Sequence, residues 1–226
     1  MKKRIALFQH DPECSIWCCN GMINALQQSY KITQWSIYDN IDKVLKKTDI
    51  LAFPGGIGSS DKFYKFFTQE TIQSIQNFVT SGGYYLGICM GAYWASHHYF
   101  DILKSVEAVQ YIKRPTADIK RSYATVANVS WLNDEEEMFF YDGCSLIGNE
   151  RKFKVIARYS NHEPMAIIQN NIGIIGCHPE SEKFWYNKYK YIKQHWHHGR
   201  HHMLLLDFVN RLSSNQTTVT NSRKYL

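Results

Sequence analysis

The chain has 226 residues, of which 44% are hydrophobic and 20% charged, so it can bury a sizeable core and is not a disordered chain. At roughly 150 residues per domain, this length predicts one compact domain. The formal net charge of +6 is too small to indicate a nucleic-acid partner, and no apolar run reaches the roughly 18 to 20 residues of a membrane span.

The start of the chain and its cysteines both indicate a cytoplasmic protein. The apolar stretch after Arg4 ends at Gln9, so it is shorter than the hydrophobic region of a secretory signal peptide. The cysteines show neither a disulfide framework nor zinc-ribbon spacing, and we therefore expect reduced thiols. They are Cys14, Cys18, Cys19, Cys89, Cys144 and Cys177.

The first half of the chain alternates apolar strands with amphipathic helices. Strands are predicted over residues 4–8, 32–37, 50–53 and 84–88, and helices over residues 13–30, around 44–45 and over 71–79. Because strands that alternate with helices form right-handed crossovers, this order predicts an α/β fold. We expect a flavodoxin-like, doubly wound and mostly parallel sheet with helices on both faces.

After about residue 100 the chain becomes rich in short strands. They are predicted over residues 123–129, 138–141, 155–159, 164–168 and 172–177. The acidic run 134–137 is interpreted as a solvated loop. A final helix is predicted over residues 183–212, with an interruption near Gly199. The polar residues 213–226 lack periodicity, so we expect one domain over residues 1–212 and a disordered tail.

Residues 87–91 read Gly-Ile-Cys-Met-Gly, between an apolar strand and a helix-forming run. The two glycines remove side chains where a sharp turn from strand to helix would clash, so Cys89 can project above the sheet. The positive end of the following helix favours its thiolate. This pattern is a nucleophile elbow and predicts Cys89 as a catalytic nucleophile. The alternative is a buried structural cysteine between two packing glycines.

A base for this thiolate is predicted at His178, which follows the apolar strand 172–175. The ends of parallel strands form the sheet edge at which open α/β folds bind ligands. Pro179 favours an extended backbone at His178, and residues two apart in an extended segment face the same side. Glu180 can therefore orient the imidazole of His178, which would complete a Cys-His-Glu triad.

A third glycine-containing segment, Pro54 to Gly56, ends another buried strand. Its backbone N–H groups can converge on a developing oxyanion, and the residue after an elbow nucleophile is a usual second donor. We therefore expect the N–H groups of Gly56 and Met90 to form an oxyanion hole. A tight turn between strand and helix is the alternative reading of this segment.

These three motifs, in this order on an α/β pattern, resemble the class I glutamine amidotransferase-like superfamily. The chain looks most like the amidotransferase-like N-terminal domain of fungal-type biotin-protein ligases, over roughly residues 3–212. This second resemblance is carried by residues 11–14, 82–89, 92–96, 139–143 and 157–159.

The resemblance implies a cysteine hydrolase that forms a thioester intermediate and needs no cofactor. Cys89 would be the nucleophile, His178 the general base and Glu180 its orienting acid, with Gly56 and Met90 as oxyanion donors. The substrate pocket would include Gly55, Tyr93 and Glu13. We expect a small-molecule amide or acyl substrate, and a separate synthase or ligase protein as a possible partner.

Two features depart from the family pattern. The glutamine-contacting Gln of the amidotransferases corresponds to Tyr93, which puts glutamine in question as the substrate. Neither the catalytic domain of the ligases nor a biotinyl-adenylate loop occurs in this chain, so no ligase activity is expected.

Two other functions stay open at this point. The fold could serve as a non-catalytic module that binds a small ligand or regulates a partner. Alternatively, Cys89 could act as a redox-sensing or carbonyl-sensing thiol if Glu13, which comes just after the first strand, contacts it as in the deglycase-like branch of the superfamily.

Other patterns in the sequence are weaker, and we interpret them as structural. The histidine cluster lacks the His-Glu-x-x-His spacing of a zinc site and is interpreted as a solvated face; its members are His195, His197, His198, His201 and His202. The aromatic residues between 183 and 196 are expected to pack on the sheet, and Cys18 and Cys19 to pack a helix against it. We expect no metal, nucleic-acid or membrane partner.

Overall fold

The computed structural model describes residues 2–214, and its strands form one large sheet and one small sheet. The strands, in chain order, are β1 (Arg4–Phe8), β2 (Lys31–Trp35), β3 (Ile50–Phe53), β4 (Tyr84–Ile88), β5 (Val106–Gln110), β6 (Thr125–Trp131), β7 (Asp134–Phe140), β8 (Cys144–Gly148), β9 (Lys154–Tyr159), β10 (Pro164–Gln169) and β11 (Ile172–Ile175). The helices are α1 (Ile16–Leu26), α2 (Ile41–Leu45), α3 (Phe63–Phe66), α4 (Gln69–Thr80), α5 (Met90–Trp94), α6 (Lys183–Asn187) and α7 (Arg200–Ser214). Within residues 2–214, no helix has the length and apolar character that crossing a bilayer requires.

Five parallel strands form one half of the large sheet, in the order β2-β1-β3-β4-β11. This is the strand order of flavodoxin-like folds, and helices connect most of the parallel strands. The predicted α/β class, with a flavodoxin-like doubly wound sheet, is confirmed.

Antiparallel strands form the other half of the large sheet. β10, β9, β6 and β7 extend it beyond β11, each antiparallel to its neighbour, while β5 and β8 pair in the small sheet. The β-rich second half is therefore present, but the sequence pattern missed β5 and β8. Each has only five residues, too few for alternation to stand out, and each depends on the other for its pairing.

Alternate residues of the parallel strands pack against helices on opposite faces of the sheet. In β1, Ile5 and Leu7 join a buried cluster with α1 and α7, whereas Ala6 and Phe8 join a second cluster with α4. Side-chain caps fix where α1, α2 and α4 begin. For example, the hydroxyl of Ser15 accepts a hydrogen bond from the amide of Cys18 at the start of α1.

The predicted final helix is divided into α6 and α7. Between them the backbone passes through His198 and Gly199, whose φ angles are +51° and +88°. The first helix ends earlier, at Asn187. Because two consecutive residues in the left-handed region cannot belong to a right-handed helix, α7 begins only after them, at Arg200. α7 continues to Ser214, and residues 215–226 of the predicted tail lie outside the described residues.

The acidic run 134–137 is not a loop, because it forms the first residues of β7. Glu136 is buried and accepts a hydrogen bond from Nε of Arg200 at 2.6 Å, while its other oxygen lies 3.3 Å from Nε2 of His201. His201 is itself only 1% exposed, so the interpretation of the histidine cluster as a solvated face is wrong at this position. Pairing between side chains of α7 and β7 therefore buries polar residues that, judged from each segment alone, look exposed to solvent.

We predict that Glu136→Ala lowers the free energy of unfolding by about 2 kcal/mol, because it removes charge-assisted hydrogen bonds from a buried position. Glu135→Ala is the matched control. Glu135 is the exposed neighbour on the same strand, and its replacement should change stability by less than about 0.5 kcal/mol. Urea denaturation of both variants measures the difference, and equal effects would contradict a structural role for Glu136.

Candidate active site

Cys89 lies at a sharp turn between the end of β4 and the start of α5. Its φ and ψ angles are 49° and −100°, a conformation that is strained for a residue with a side chain. The neighbouring glycines make the turn possible. A Cβ atom on Gly91 would overlap with the carbonyl oxygen of Phe53, and one on Gly87 would overlap with the carbonyl of Gly91. The strand, turn and helix of the predicted elbow are therefore present.

His178 and Glu180 form a buried pair just beyond β11. Their Nδ1 and Oε1 atoms are 2.9 Å apart, and the two residues are 2% and 0% exposed. The backbone N–H of His178 donates to the carbonyl of Phe139 at 3.0 Å, and the imidazole packs edge-on against Phe139 and Trp185. The contact that the two-residue spacing predicts is thus present, and neighbouring aromatic rings fix the plane of the imidazole.

The electrostatic environment of His178 favours its protonated form. Burial by itself lowers the pKa of the imidazole, but the charge of Glu180, followed by the Cys89 thiol, outweighs it, so the pKa lies well above the ordinary value of 6.5. Nε2 of His178 is buried and has no hydrogen-bond partner within residues 2–214. This nitrogen is therefore free to exchange a proton with a reacting group.

The sulfur of Cys89 donates a hydrogen bond to the carbonyl oxygen of Tyr141 at 3.6 Å. A second thiol, that of Cys18, lies close to the imidazole of His178. Ligating atoms of Cys18, His178 and Glu180 all lie within 4.8 Å of one another. The sequence interpretation of Cys18 as a packing residue missed this. The available signal was its position in the first turn of α1, which follows β1 at the edge where the parallel strands end.

The loop after β3 brings Gly55 and Gly56 to the site. A Cβ atom on Gly55 would overlap with Cε1 of His178, and one on Gly56 would overlap with the carbonyl oxygen of Glu13. The backbone amides of Gly56 and Met90 donate no hydrogen bond within residues 2–214. Both predicted oxyanion donors are therefore unengaged, and Gly55 leaves room for the imidazole.

Two predicted pocket residues make contacts other than those expected of them. Glu13 is buried, and its carboxylate accepts a hydrogen bond from Nζ of Lys62 at 2.8 Å; no hydrogen bond joins it to Cys89 in the described part of the chain. The hydroxyl of Tyr93 donates to the carbonyl of Asp142 at 3.2 Å, and burial raises the pKa of this phenol. Tyr93 therefore fills space beside Cys89.

A largely aromatic cavity of about 280 Å³ opens next to the pair of His178 and Glu180. Its wall consists of Ser15, Trp17, Cys18, Gly56, Ile57, Phe139, Tyr141, His178, Trp185, Lys188 and Tyr189. Cys89 is not a wall residue, but Tyr141, whose carbonyl accepts from its sulfur, is. The ammonium of Lys188 lies 3.5 Å from the centre of the Trp17 ring, so the one charged wall residue other than His178 is held over an aromatic face.

Comparison with solved structures finds proteins with a similar fold. A glutamine amidotransferase from Thermotoga maritima is 12% identical, with a TM-score of 0.67, and the match covers 94% of this chain and 99% of that one. PurLQS from Thermotoga maritima is 14% identical, with a TM-score of 0.61 and coverage of 94% and 100%. A candidate GMP synthase subunit from Thermoplasma acidophilum is 16% identical, with a TM-score of 0.58 and coverage of 95% and 96%.

The chain therefore shares the fold of these structures, the first of which is a glutamine amidotransferase. Residues 11–110 match the family described as biotin-protein ligase, N terminal, as the sequence resemblance indicates. A comparison with the curated proteins finds no match. The matched segment runs from the loop after β1 to the end of β5, so it contains the amidotransferase-like elbow at Cys89 but not His178 or Glu180.

We predict that His178 titrates above pH 6.5, whereas two histidines of the cluster stay neutral well below it. Burial, then the charge of His201, lowers the pKa of His197 to about 3, and burial lowers that of His201 to about 4. Nitrogen-15 NMR of the imidazole rings measures each titration. Glu180→Gln should lower the pKa of His178, because the charge that raises it is removed. A midpoint for His178 below 6.5 in the unchanged protein would contradict the predicted environment.

The pKa shifts of these three histidines also predict how the free energy of unfolding depends on pH. The unfolded chain protonates His197 and His201 near pH 6.5 while the folded chain does not, so their contribution makes the free energy of unfolding fall as the pH drops from about 6.5 toward 4. His178 acts in the opposite direction. Its raised pKa adds stability below about pH 6.5, which is lost as the pH rises through the folded-state value.

Proposed function

We propose that this protein is a cysteine-dependent hydrolase of amides or related acyl compounds. Cys89 is the nucleophile, His178 the general base, and Glu180 the acid that orients the imidazole. The observation that carries this proposal is the buried pair of His178 and Glu180, with Nε2 unpartnered within residues 2–214, at the same sheet edge as the strained turn at Cys89. A base that is oriented on one side and free on the other matches the requirement for activating a thiol.

The proposed reaction has two steps. Nε2 of His178 takes the proton of the Cys89 thiol, and the sulfur attacks the acyl carbon, whose oxygen becomes negatively charged near the N–H groups of Gly56 and Met90. The imidazolium returns the proton to the leaving amine or alcohol, which leaves a thioester on Cys89. Water then attacks the thioester with the same base, releasing the acid and restoring the thiol.

The cavity favours an apolar or aromatic acyl group over glutamine. Free glutamine carries an ammonium and a carboxylate, and both need charged or strongly polar partners when bound. The wall offers Lys188 for an anion, but no carboxylate side chain for an ammonium. Tyr93, which corresponds to the glutamine-contacting residue of the amidotransferases, is engaged with Asp142. We therefore propose a substrate with an aromatic or aliphatic acyl part.

A synthase or ligase partner is part of this proposal only if the reaction releases ammonia for use elsewhere, because a separate protein must then accept the ammonia. One of the similar solved structures is described as a candidate part of a GMP synthase. The cytoplasmic location expected from the cysteine pattern stays a prediction.

A non-catalytic binding module is the second candidate function. The observation in its favour is that Cys89 is 4% exposed and does not line the cavity, so a ligand could occupy the cavity without touching the sulfur. A sensing thiol adjusted by Glu13 has less support, because the carboxylate of Glu13 is bound by Lys62.

We predict that a limiting amount of iodoacetamide alkylates Cys89 before the other five cysteines, because an oriented base sits beside its sulfur. His178→Ala should slow alkylation of Cys89 by roughly 100-fold, the usual contribution of a general base. Peptide mass spectrometry measures the rate at each cysteine. A parallel assay follows hydrolysis of nitrophenyl esters and anilides of butyrate and benzoate, and ammonia release from L-glutamine.

Two control variants separate the possible outcomes. Cys177→Ser alters a buried thiol next to His178 in the sequence and should leave the Cys89 rate unchanged. Cys18→Ser tests the second thiol that faces the imidazole. Equal reactivity of all cysteines would favour the binding module, and faster alkylation of Cys18 than of Cys89 would contradict the assigned nucleophile.

A further inference from the structure

Cys18 brings a third chemically reactive group to the pair of His178 and Glu180. All three side chains are buried, with 5%, 2% and 0% of their surface exposed. One ligating atom from each lies within 4.8 Å of those of the other two. A thiol, an imidazole and a carboxylate that converge on one point form a set of sulfur, nitrogen and oxygen donors typical of transition-metal sites.

Two polar atoms of this cluster lack partners. Nε2 of His178 and Oε2 of Glu180 are buried and make no hydrogen bond within residues 2–214. Buried polar atoms without partners are destabilising by about 1 to 3 kcal/mol each. Because Nδ1 of His178 faces Glu180, an ion bound by both residues would take Nδ1 from the imidazole, and Nε2 lies on the opposite side of the ring. A bound cation would satisfy the unpartnered carboxylate oxygen of Glu180, with Cys18 as a third ligand.

We propose that Cys18, His178 and Glu180 bind one Zn²⁺ ion, with a water molecule from the aromatic cavity as the fourth ligand. Zinc accepts these three donor types in tetrahedral geometry and tolerates an open position. The charges also balance, because the thiolate and the carboxylate together neutralise the dication in a buried site. Binding releases the thiol proton of Cys18 and the proton on the coordinating ring nitrogen of His178, since both ligands coordinate in their deprotonated forms.

The geometry allows the ion to reach this position. Zinc bonds of about 2.0 to 2.3 Å place tetrahedral ligand atoms roughly 3.3 to 3.6 Å apart. The donor atoms of Cys18, His178 and Glu180 lie at most 4.8 Å apart, so binding needs only small movements of their side chains. Cys18 and His178 both line the cavity, which gives the ion a path from solvent and room for the water ligand.

Zinc binding and the action of His178 as a general base therefore exclude each other. With zinc bound, the imidazole is held by the metal and the carboxylate of Glu180 no longer orients it as a base. The thiol of Cys89 is not part of this donor set, and it donates to the carbonyl oxygen of Tyr141. Metal binding at this site stands or falls independently of whether Cys89 is catalytic.

Titration of the reduced full-length protein with Co²⁺, followed by displacement with Zn²⁺, tests the proposal. Tetrahedral cobalt bound to one thiolate gives intense visible bands and a sulfur-to-cobalt charge-transfer band in the near ultraviolet. We expect one such ion per chain. X-ray absorption at the zinc edge of the unaltered protein should then show one sulfur among otherwise nitrogen and oxygen ligands, and this measurement needs no variant to fold.

Single substitutions test which side chains bind the ion. Cys18→Ser should abolish the charge-transfer band and weaken zinc binding by roughly 100-fold, and Glu180→Gln should weaken it by roughly 10-fold. Cys14→Ser is the matched control, because Cys14 is also buried nearby but its sulfur donates to the carbonyl of Pro54. It should leave both readouts unchanged, as should Cys89→Ser.

Three results would overturn the proposal. The first is a zinc shell without sulfur, which would indicate binding by the histidine cluster. The second is a charge-transfer band that survives in Cys18→Ser but disappears in Cys89→Ser. The third is no binding of either ion at micromolar concentrations. None of these results depends on the alkylation of Cys89, so failure of the metal site and failure of the proposed hydrolase are distinguishable.

Discussion

The parallel pairing of β4 between β3 and β11 is the constraint on which the candidate site depends. Phe53 pairs with Gly87, and Ile88 pairs with Ile175, so the three strands end at nearly the same level of the sheet. The segments that follow them must then meet at one edge, although they are far apart in the chain. A register slip of one residue would turn the last side chain of a strand to the opposite face and separate these segments.

The buried pair of His178 and Glu180 is retained despite the cost of placing ionisable groups in the core. Such groups persist when they are paired, and here the pairing satisfies one atom on each side chain. The remaining atoms are the ones that the proposed chemistry uses. In the proposed hydrolase, the imidazole would exchange a proton with Cys89. In the proposed metal site, the imidazole and the carboxylate would join Cys18 in holding a cation.

Much of the fold could be predicted from the sequence, because its signals are local. The parallel strands are apolar runs that end in glycine or proline, the turn at Cys89 is flanked by the two glycines it requires, and an extended backbone puts His178 and Glu180 on one side. The failures share a cause. The run 134–137 looks solvated until its contacts with Arg200 and His201 of a distant helix are known. The helix predicted over residues 183–212 stops at Asn187 and resumes at Arg200, which is a wider break than the interruption predicted near Gly199.

The sequence by itself determined the class of fold, the strained turn and the contact between His178 and Glu180, since periodicity, glycine spacing and backbone preference act over a few residues. Only the tertiary structure decided that Cys18 faces the imidazole, that Lys62 engages Glu13, and that aromatic residues from three separate segments enclose one cavity. Those contacts join segments distant in the chain, and their existence depends on how the helices and the antiparallel strands pack, which no local pattern encodes.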